Sequence, residues 1–385
     1  MIVPLRDAAV NTCGGKAGAL GALLRTGLPV PDGFVIPFDA YRLNVHGPDR
    51  LLEDLAHGLD ELGDVPVAVR SSADSEDTVH ASGAGQHESV LAVRGVAEVA
   101  DAVRTCWASL HSSRAISYRG THGASDPVMA VLIHRLVDAE VSGVMFTPAE
   151  PAGSTEIEAS WGLGPSVVGG TVTPDAYRVA ADGSVTSTIS DKRTRLDRDG
   201  TRLITRDVPA TDRERPTLHD VTVARLAQLG QEVAAVLGGP QDIEWAITGD
   251  RNWVLQARPI TVAPPQVPSA VASHASLTGT PASAGTVTGT ARMVRGPDDF
   301  SRVQPGDILV CPYTDPAWTP LLRIAAGVVT ETGGVLAHAA IVARELRIPA
   351  VVGIPGATTT LNDGDTITLD GAAGTVTTPD RSIDT

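Results

Sequence analysis

From Ile260 to Gly285 the chain reads ITVAPPQVPSAVASHASLTGTPASAG, and apolar periodicity stops there. Proline fixes φ and removes backbone donors, so neither a helix nor a central strand runs through such a stretch. The 385 residues are thereby divided into a long N-terminal part and a compact C-terminal part of ~100 residues.

Before the break, β-rich apolar runs (VPVAVR, PVMAVLIHRLV, SGVMFT, TEIEAS) alternate with helical stretches such as AEVADAVRTCWASLHSSRAISYR. That mixture is α/β or α+β. After it, the strand candidates GTARMV, DILVCPY, GVVT, AVVG and DTITLD surround helical segments expected at Trp318–Ala326 and Ala337–Leu346.

The formal net charge of -15 disfavours attraction to nucleic acid or to an anionic membrane, which points to small-molecule chemistry. Cys13, Cys106 and Cys311 lack C-x-x-C spacing, so neither a disulfide framework nor a zinc site is indicated. The N-terminus MIVPLRDAAVNTCGG has no cationic region followed by an apolar core, and a soluble, cytoplasmic protein is expected.

In TETGGVLAHAAIVARELRIPAVVG, Gly333 and Gly334 permit a tight turn, and Leu336, Ala340, Ile341 and Leu346 follow at helical spacing before Pro349. His338 then falls in the first helical turn, where unpaired backbone N–H groups and the positive dipole end suit a phosphoryl group carried on imidazole. A packed or capping histidine is the plainer alternative.

A phosphoryl carrier needs a donor site. CGGKAGALGALLRTG offers glycines for close backbone approach and Lys16 as a point charge, although no Ser or Thr follows the lysine as in a Walker loop. VPVAVRSSADSEDT delivers Arg70 at a strand end, suited to bidentate phosphate binding or to a salt bridge with Asp74 or Glu76. In ASGAGQHES, Gly83 and Gly85 are able to lay N–H groups over phosphates.

QDIEWAITGDRNWVLQARPI reads as a hairpin. With the turn centred on Asp250, Glu244 stands opposite Gln256, where both oxygens reach one Mg²⁺, and Arg258 shares their face. A strict two-residue Gly249-Asp250 turn instead shifts the register by one and sends Gln256 to the other face.

The string GG-x-x-x-H-A-A-I-V-A-R-E-L-x-I-P-A-V-V-G, with TPASAGTVTGTARMV, PGDILVCPYTDPAWTPLL and LNDGDTITLDGAAGTV, resembles the swivelling phosphohistidine domain of the phosphoenolpyruvate synthase, pyruvate phosphate dikinase and rifampicin phosphotransferase family. GGKAGALG, VAVRSSADSED, GAGQHES, SGVMFT, SWGLGPSVVGGTVTPD and DIEWAI…VLQARPIT resemble its ATP-grasp domain, in order.

The resemblance implies a two-lobed ATP-grasp domain over 1–262, a linker over 263–276 and a small swivelling α/β domain over 277–380. It also implies that His338 carries the phosphoryl group, that Lys16 and Arg70 contact phosphates, and that Gly83, Ala84, Gly85 and Gln86 form the phosphate loop. Leu136 and Val137 would line the adenine pocket, Glu244 and Gln256 would bind Mg²⁺, and Arg258 would hold the γ-phosphate end. ATP would be cleaved to AMP and phosphate, the β-phosphoryl group resting on His338.

Departures from the family pattern are Leu336 and Ala337, where a Thr followed by Ser or Cys is usual, Gly83 for a common phenylalanine, and His134 for a common glutamine. The phosphoryl acceptor is expected to be a small hydroxyl or enolate compound, such as an antibiotic or biosynthetic intermediate. Alternatively it is a separate protein that receives the group from a relay module, while an ATP-grasp carboxylate ligase that does not use histidine is the third reading.

Overall fold

Short apolar runs punctuated by glycine and proline favour many strands over long helices, and the fold follows that pattern. The structure, a computed structural model, describes residues 2–44, 49–73, 89–112, 127–150, 152–263 and 277–378. They form two compact units. The first comprises Met1–Gly164, Tyr177–Thr188 and Arg193–Thr261; the second comprises Pro165–Ala176, Ile189–Lys192 and Val262–Thr385.

The first unit contains a five-stranded antiparallel sheet in the order β1 (Val3–Pro4), β2 (Gly33–Ile36), β5 (Met129–Arg135), β3 (Val67–Ala73), β4 (Ser89–Val93). Alternation along β3 and β5 divides its residues between two faces. Val67, Val69, Val131 and Ile133 enter a core with helices α3 (Asp49–Leu62) and α4 (Val96–Ser109). Leu51, Leu55, Leu59 and Leu62 of α3 recur at helical spacing and supply its apolar stripe. Ala68, Arg70 and Ser72, with Leu132 and His134, occupy the opposite face.

Helix α1 (Val10–Arg25) lies on that second face. It kinks at Gly14, whose φ of 79° and ψ of 173° are non-helical. A Cβ at Gly14 would sit 2.3 Å from the Ser72 carbonyl oxygen, so only glycine lets the helix approach β3 this closely. Just beyond the kink, the Ala17 amide donates to Ser72 Oγ at 3.2 Å.

A six-stranded sheet has the order β13 (Arg251–Pro259), β12 (Gln241–Thr248), β6 (Val141–Phe146), β7 (Thr155–Trp161), β8 (Asp175–Val179), β9 (Val185–Thr188). A ribbon of β10 (Thr194–Asp199) and β11 (Arg202–Asp207) and helix α5 (Asp220–Leu237) accompany it.

The second unit is built on a mixed eight-stranded sheet, ordered β14 (Leu277–Thr278), β21 (Thr375–Thr377), β20 (Thr366–Asp370), β16 (Thr286–Met293), β17 (Ile308–Cys311), β18 (Gly327–Thr330), β19 (Ala350–Val352), β15 (Thr280–Ser283). Strands β16 to β19 pair in parallel. Their sequences ILVC, GVVT and AVV are apolar throughout because both faces are covered. Leu309, Cys311, Val328 and Val352 join one core, while Ile308, Val310, Val329 and Val351 join another with Ile367 and Leu369.

Helix α6 (His338–Leu346) packs on the first of these cores through Ala339, Ala340, Val342 and Ala343. It ends at Arg347, in the left-handed conformation, two residues before Pro349. The helix expected over Trp318–Ala326 is shorter. A 3₁₀ turn covers Pro316–Trp318 and an α-helical turn Thr319–Leu322. The Ala326 amide then donates to the Asp307 carbonyl at 2.8 Å, and this bond draws the chain back to the sheet. All three cysteines are buried, and none is in a disulfide. Among the described residues, no helix is long and apolar enough to cross a membrane.

Candidate nucleotide and phosphohistidine sites

The hairpin of β12 and β13 combines the two registers left open by its sequence. Thr248 pairs with Arg251, so the turn is the strict two-residue Gly249-Asp250 form. Glu244 nevertheless pairs with Gln256, because the register shifts between Glu244 and Trp245. The additional residue on β13 is Leu255, and this bulge restores Gln256 to the Glu244 face. A bulge also turns a carbonyl out of the ladder, and the Leu255 oxygen accepts a hydrogen bond from Arg70 Nη1 at 3.0 Å.

Arg70 reaches this hairpin from β3. Its Nη2 donates to Glu244 Oε2 at 2.8 Å and to Gln256 Oε1 at 2.7 Å. Neither Asp74 nor Glu76 enters this account, since both lie outside the described residues. Burial pushes the Glu244 carboxyl up, but the charge and hydrogen bond of Arg70, with Arg258 and Lys16 behind them, hold it below the ordinary carboxylate range. Glu244 is therefore ionised at neutral pH. Lys16 lies just beyond the Gly14 kink in α1, and its charge acts on Glu244.

Arg258 lies one step further along the same face, where its Nε and Nη2 donate to Asp242 Oδ2 at 2.8 and 2.7 Å. Asp242 carries no motif of its own in the sequence, but its place two residues before Glu244 puts it on the Glu244 face. At the end of β5, the Leu136 amide donates to the Pro66 carbonyl at 2.9 Å. Val137 packs against the buried cluster of Ala139, Leu163 and Ala246, as do Trp253 and Leu255. Gly83, Ala84, Gly85 and Gln86 lie outside the described residues.

The oxygens of Glu244 and Gln256 converge on one donor atom, Arg70 Nη2, and such convergence is what a hard cation requires. Two protein oxygens suit Mg²⁺, which keeps several waters and takes phosphate oxygens for the rest of its octahedron. The residues therefore fit the ion, on condition that Arg70 turns away from them. No group of three or more His, Cys, Asp or Glu that could hold a metal is found among the described residues.

In the second unit His338 is the first residue of α6, preceded by Ala337, whose side chain makes no capping hydrogen bond. A hydroxyl reaches the imidazole from another element. Thr314 Oγ1, in the loop after β17, lies 2.8 Å from His338 Nδ1. With hydrogen on Nδ1 donated to Thr314 Oγ1, the lone pair belongs to Nε2. Thr314 is 24 positions from His338, and no local spacing signals the partnership. Arg344, on α6, donates from Nη1 to the carbonyls of Val335 at 2.7 Å and Ala282 at 3.0 Å, which fastens the segment leading into His338.

Comparison with known proteins accords with this geometry. Residues 43–277 match the family described as pyruvate phosphate dikinase, AMP/ATP-binding domain, and residues 303–374 match the PEP-utilising enzyme, mobile domain. The chain belongs to the PEP-utilising enzyme family.

Relatives in this family include the probable phosphoenolpyruvate synthase of Methanothermobacter thermautotrophicus, 36% identical over 95% of this chain and 61% of its own length. That of Archaeoglobus fulgidus is 36% identical over 94% of this chain and 56% of its own length. The phosphoenolpyruvate synthase of Aeropyrum pernix is 34% identical over 94% and 56%, respectively. The chain thus spans about three-fifths of the length of the first two of these relatives. The α/β architecture and the AMP/ATP-binding domain expected from the sequence are those of the family.

Proposed function

We propose that this chain is an ATP-dependent phosphohistidine relay: its first unit binds MgATP, His338 Nε2 takes a phosphoryl group, and the phosphohistidine passes it to a separate acceptor protein. The observation that carries the reading is the contact between Thr314 Oγ1 and His338 Nδ1, which, with the hydrogen on Nδ1, leaves the lone pair on Nε2 at the start of a helix. Backbone N–H groups of the first turn, unsatisfied within the helix, favour the anion there.

In the transfer, the Nε2 lone pair forms the N–P bond to the β-phosphorus while the P–O bond to the departing AMP oxygen breaks, and the γ-phosphoryl group passes to water and leaves as phosphate. The hydrogen stays on Nδ1, donated to Thr314 Oγ1, and this bond steadies the cationic ring, while the two displacements replace one direct transfer. Lys16, Arg70 and Arg258 would offset the charge spread over the phosphoryl oxygens. Glu244 and Gln256 would hold Mg²⁺, which when bound neutralises phosphate charge. Leu136 and Val137 would border the base, and Gly83, Ala84, Gly85 and Gln86 would cover the phosphates.

Direct transfer to a small hydroxyl or enolate compound shares the first step and differs only in the acceptor. The test is intact-protein mass after incubation with ATP and Mg²⁺ at mildly alkaline pH, for wild type and His338→Ala, with nucleotide products quantified. One added phosphoryl group, absent from the variant and accompanied by AMP, is expected. ADP formation without labelling, unchanged in the variant, would sink the relay and favour a carboxylate ligase.

A further inference from the structure

The nitrogen read above as the nucleophile is covered. His338 is only 5% exposed, and its Nε2 has almost no contact with solvent. A phosphoryl group reaches or leaves that atom only if something beside it moves. Within the second unit, the segment Pro165–Ala176 lies against the turn that leads into His338. A Cβ at Gly170 would sit 3.2 Å from Ala337 Cβ and 3.5 Å from Gly333 Cα, and a Cβ at Gly353 would sit 3.5 Å from Thr173 Cγ2.

This segment is fastened at both ends. At its start, a helical turn over Pro165–Val168 is followed by bonds from the Gly169 amide to the Pro165 carbonyl at 2.9 Å and from the Gly170 amide to the Val167 carbonyl at 3.0 Å. At its other end, Lys192 Nζ donates to Asp175 Oδ1 at 2.5 Å, and both side chains are fully buried. The same oxygen accepts the Ser190 amide at 3.0 Å, and Ser190 Oγ donates to the Pro174 carbonyl at 2.8 Å. Breaking a buried ion pair is strongly unfavourable, so this end stays where it is. Gly169 and Gly170 stand between the two anchors. Gly170 has a φ of 67°, and glycine leaves that conformation for another without a steric penalty.

One hydroxyl holds the middle down. Thr332 Oγ1 lies 2.6 Å from the Gly170 carbonyl oxygen and 3.1 Å from that of Pro312. A hydroxyl has a single hydrogen, and the shorter distance gives it to Gly170. When Gly170 lifts, the hydrogen passes to Pro312 and the Gly170 carbonyl meets water, so the two arrangements differ by about one net hydrogen bond. The Thr332 backbone is held in both, because Thr330 Oγ1 donates to its carbonyl at 2.6 Å. Pro312 lies two residues before Thr314, the partner of His338 Nδ1.

We propose that Pro165–Ala176 is a strap over His338 with Thr332 as its latch, and that the strap lifts at Gly169-Gly170 to open Nε2. The proposal rests on the phosphohistidine reading given above. Closed, the strap withholds the imidazole; open, it presents the imidazole to phosphoryl donor or acceptor.

The experiment is modification of the full chain by diethyl pyrocarbonate at neutral pH, with the rate at each histidine read from peptide masses. His57, whose side chain is 70% exposed, sets the fast limit, and His134, 3% exposed, the buried one. In wild type His338 should react near the buried limit. Thr332→Val should speed its reaction about fivefold, and Thr332→Ser, which keeps the hydroxyl, should restore protection. Gly170→Ala puts a side chain at a left-handed φ and a methyl against Ala337, and should speed it about tenfold.

Unfolding would expose His134 together with His338, so the ratio of their rates is the readout. Wild-type His338 reacting as fast as His57 overturns the strap, and so does a ratio unchanged in both Thr332→Val and Gly170→Ala. Labelling of His338 by ATP, measured on the same proteins, decides the relay separately. If the ratio rises in the variants but ATP labels nothing, the relay falls and the strap stands. If ATP labels His338 and the ratio ignores both substitutions, the strap alone falls.

Discussion

Arg70 and Glu244, 174 positions apart in the chain, form an ion pair at 2.8 Å that ties the five-stranded sheet to the hairpin of the six-stranded one. The same guanidinium nitrogen also donates to Gln256 Oε1, so the two oxygens suited to a divalent cation are both engaged by an arginine. Arg70 and a cation therefore compete for one position. Without nucleotide, Arg70→Met should bind Mn²⁺ about tenfold more tightly than wild type, because the ion no longer displaces a charge-assisted pair. With ATP present the same variant should lose His338 labelling by about a hundredfold or more, since the proposed phosphate ligand is gone. Mn²⁺ titration followed by electron paramagnetic resonance, with intact-protein mass, checks both directions. Equal Mn²⁺ affinity in the two proteins would refute the competition.

His134 links stability to pH. Its ring titrates at about 4 in the folded chain against 6.5 ordinarily, because burial and Arg70 both disfavour the charged form. As pH falls below about 6.5 the unfolded chain takes up a proton that the folded chain refuses, and stability declines until about pH 4. The shift corresponds to roughly 3 kcal/mol lost across that window. Replacing His134 with Gln removes the titration, so the thermal midpoint of the variant should fall less between pH 6.5 and pH 4 than that of wild type. Parallel curves would show that another group controls the acid limb.

The sequence makes the strands and the C-terminal histidine helix legible because each is a local pattern. GVVT, AVVG and DTITLD carry their own periodicity, and His338 was placed in the first turn by glycines before it and Pro349 after it. The nucleotide site was legible only in part. Whether Glu244 faces Gln256 depended on a bulge at Leu255, a long-range adjustment in which the displaced carbonyl is taken up by an arginine from another sheet. The pairing of Thr314 with His338 is likewise non-local, created by the parallel order of β17 and β18 rather than by spacing. The alternation that placed Glu244 would also have placed Asp242, whose significance emerges once Arg258 is seen to lean on it.

Thr314 should govern which nitrogen is phosphorylated. Thr314→Val keeps the volume but removes the acceptor for the Nδ1 hydrogen, leaving a buried N–H unsatisfied at a cost of about 1–3 kcal/mol. Labelling of His338 should slow by about tenfold or more, and a fraction of the product should carry phosphate on Nδ1 in place of Nε2. Thr314→Ser, which retains the hydroxyl, should restore both rate and isomer. The two phosphohistidine isomers are distinguished by ³¹P and ¹⁵N NMR under alkaline conditions. A valine variant that yields only the Nε2 isomer at the wild-type rate would remove Thr314 from the positioning role.

Arg344 should act on the same histidine through the backbone. Its Nη1 donates to the carbonyls of Val335 and Ala282, one leading into His338 and the other on the edge strand β15. Arg344→Met retains much of the buried stem but leaves both carbonyls without that donor, and hydrogen bonds from a charged group are worth about 1.5–3 kcal/mol each. A loss of roughly 2–4 kcal/mol is expected once the relief of desolvating the guanidinium is set against it. Arg344→Lys should recover only part of this, because an ammonium on a flexible stem does not reproduce the planar guanidinium at two acceptors. Chemical denaturation gives the stability change, and His338 labelling at a temperature where each variant remains folded gives the positional one. If labelling stays at the wild-type rate while stability falls, Arg344 supports the fold alone and the approach to His338 is held by other contacts.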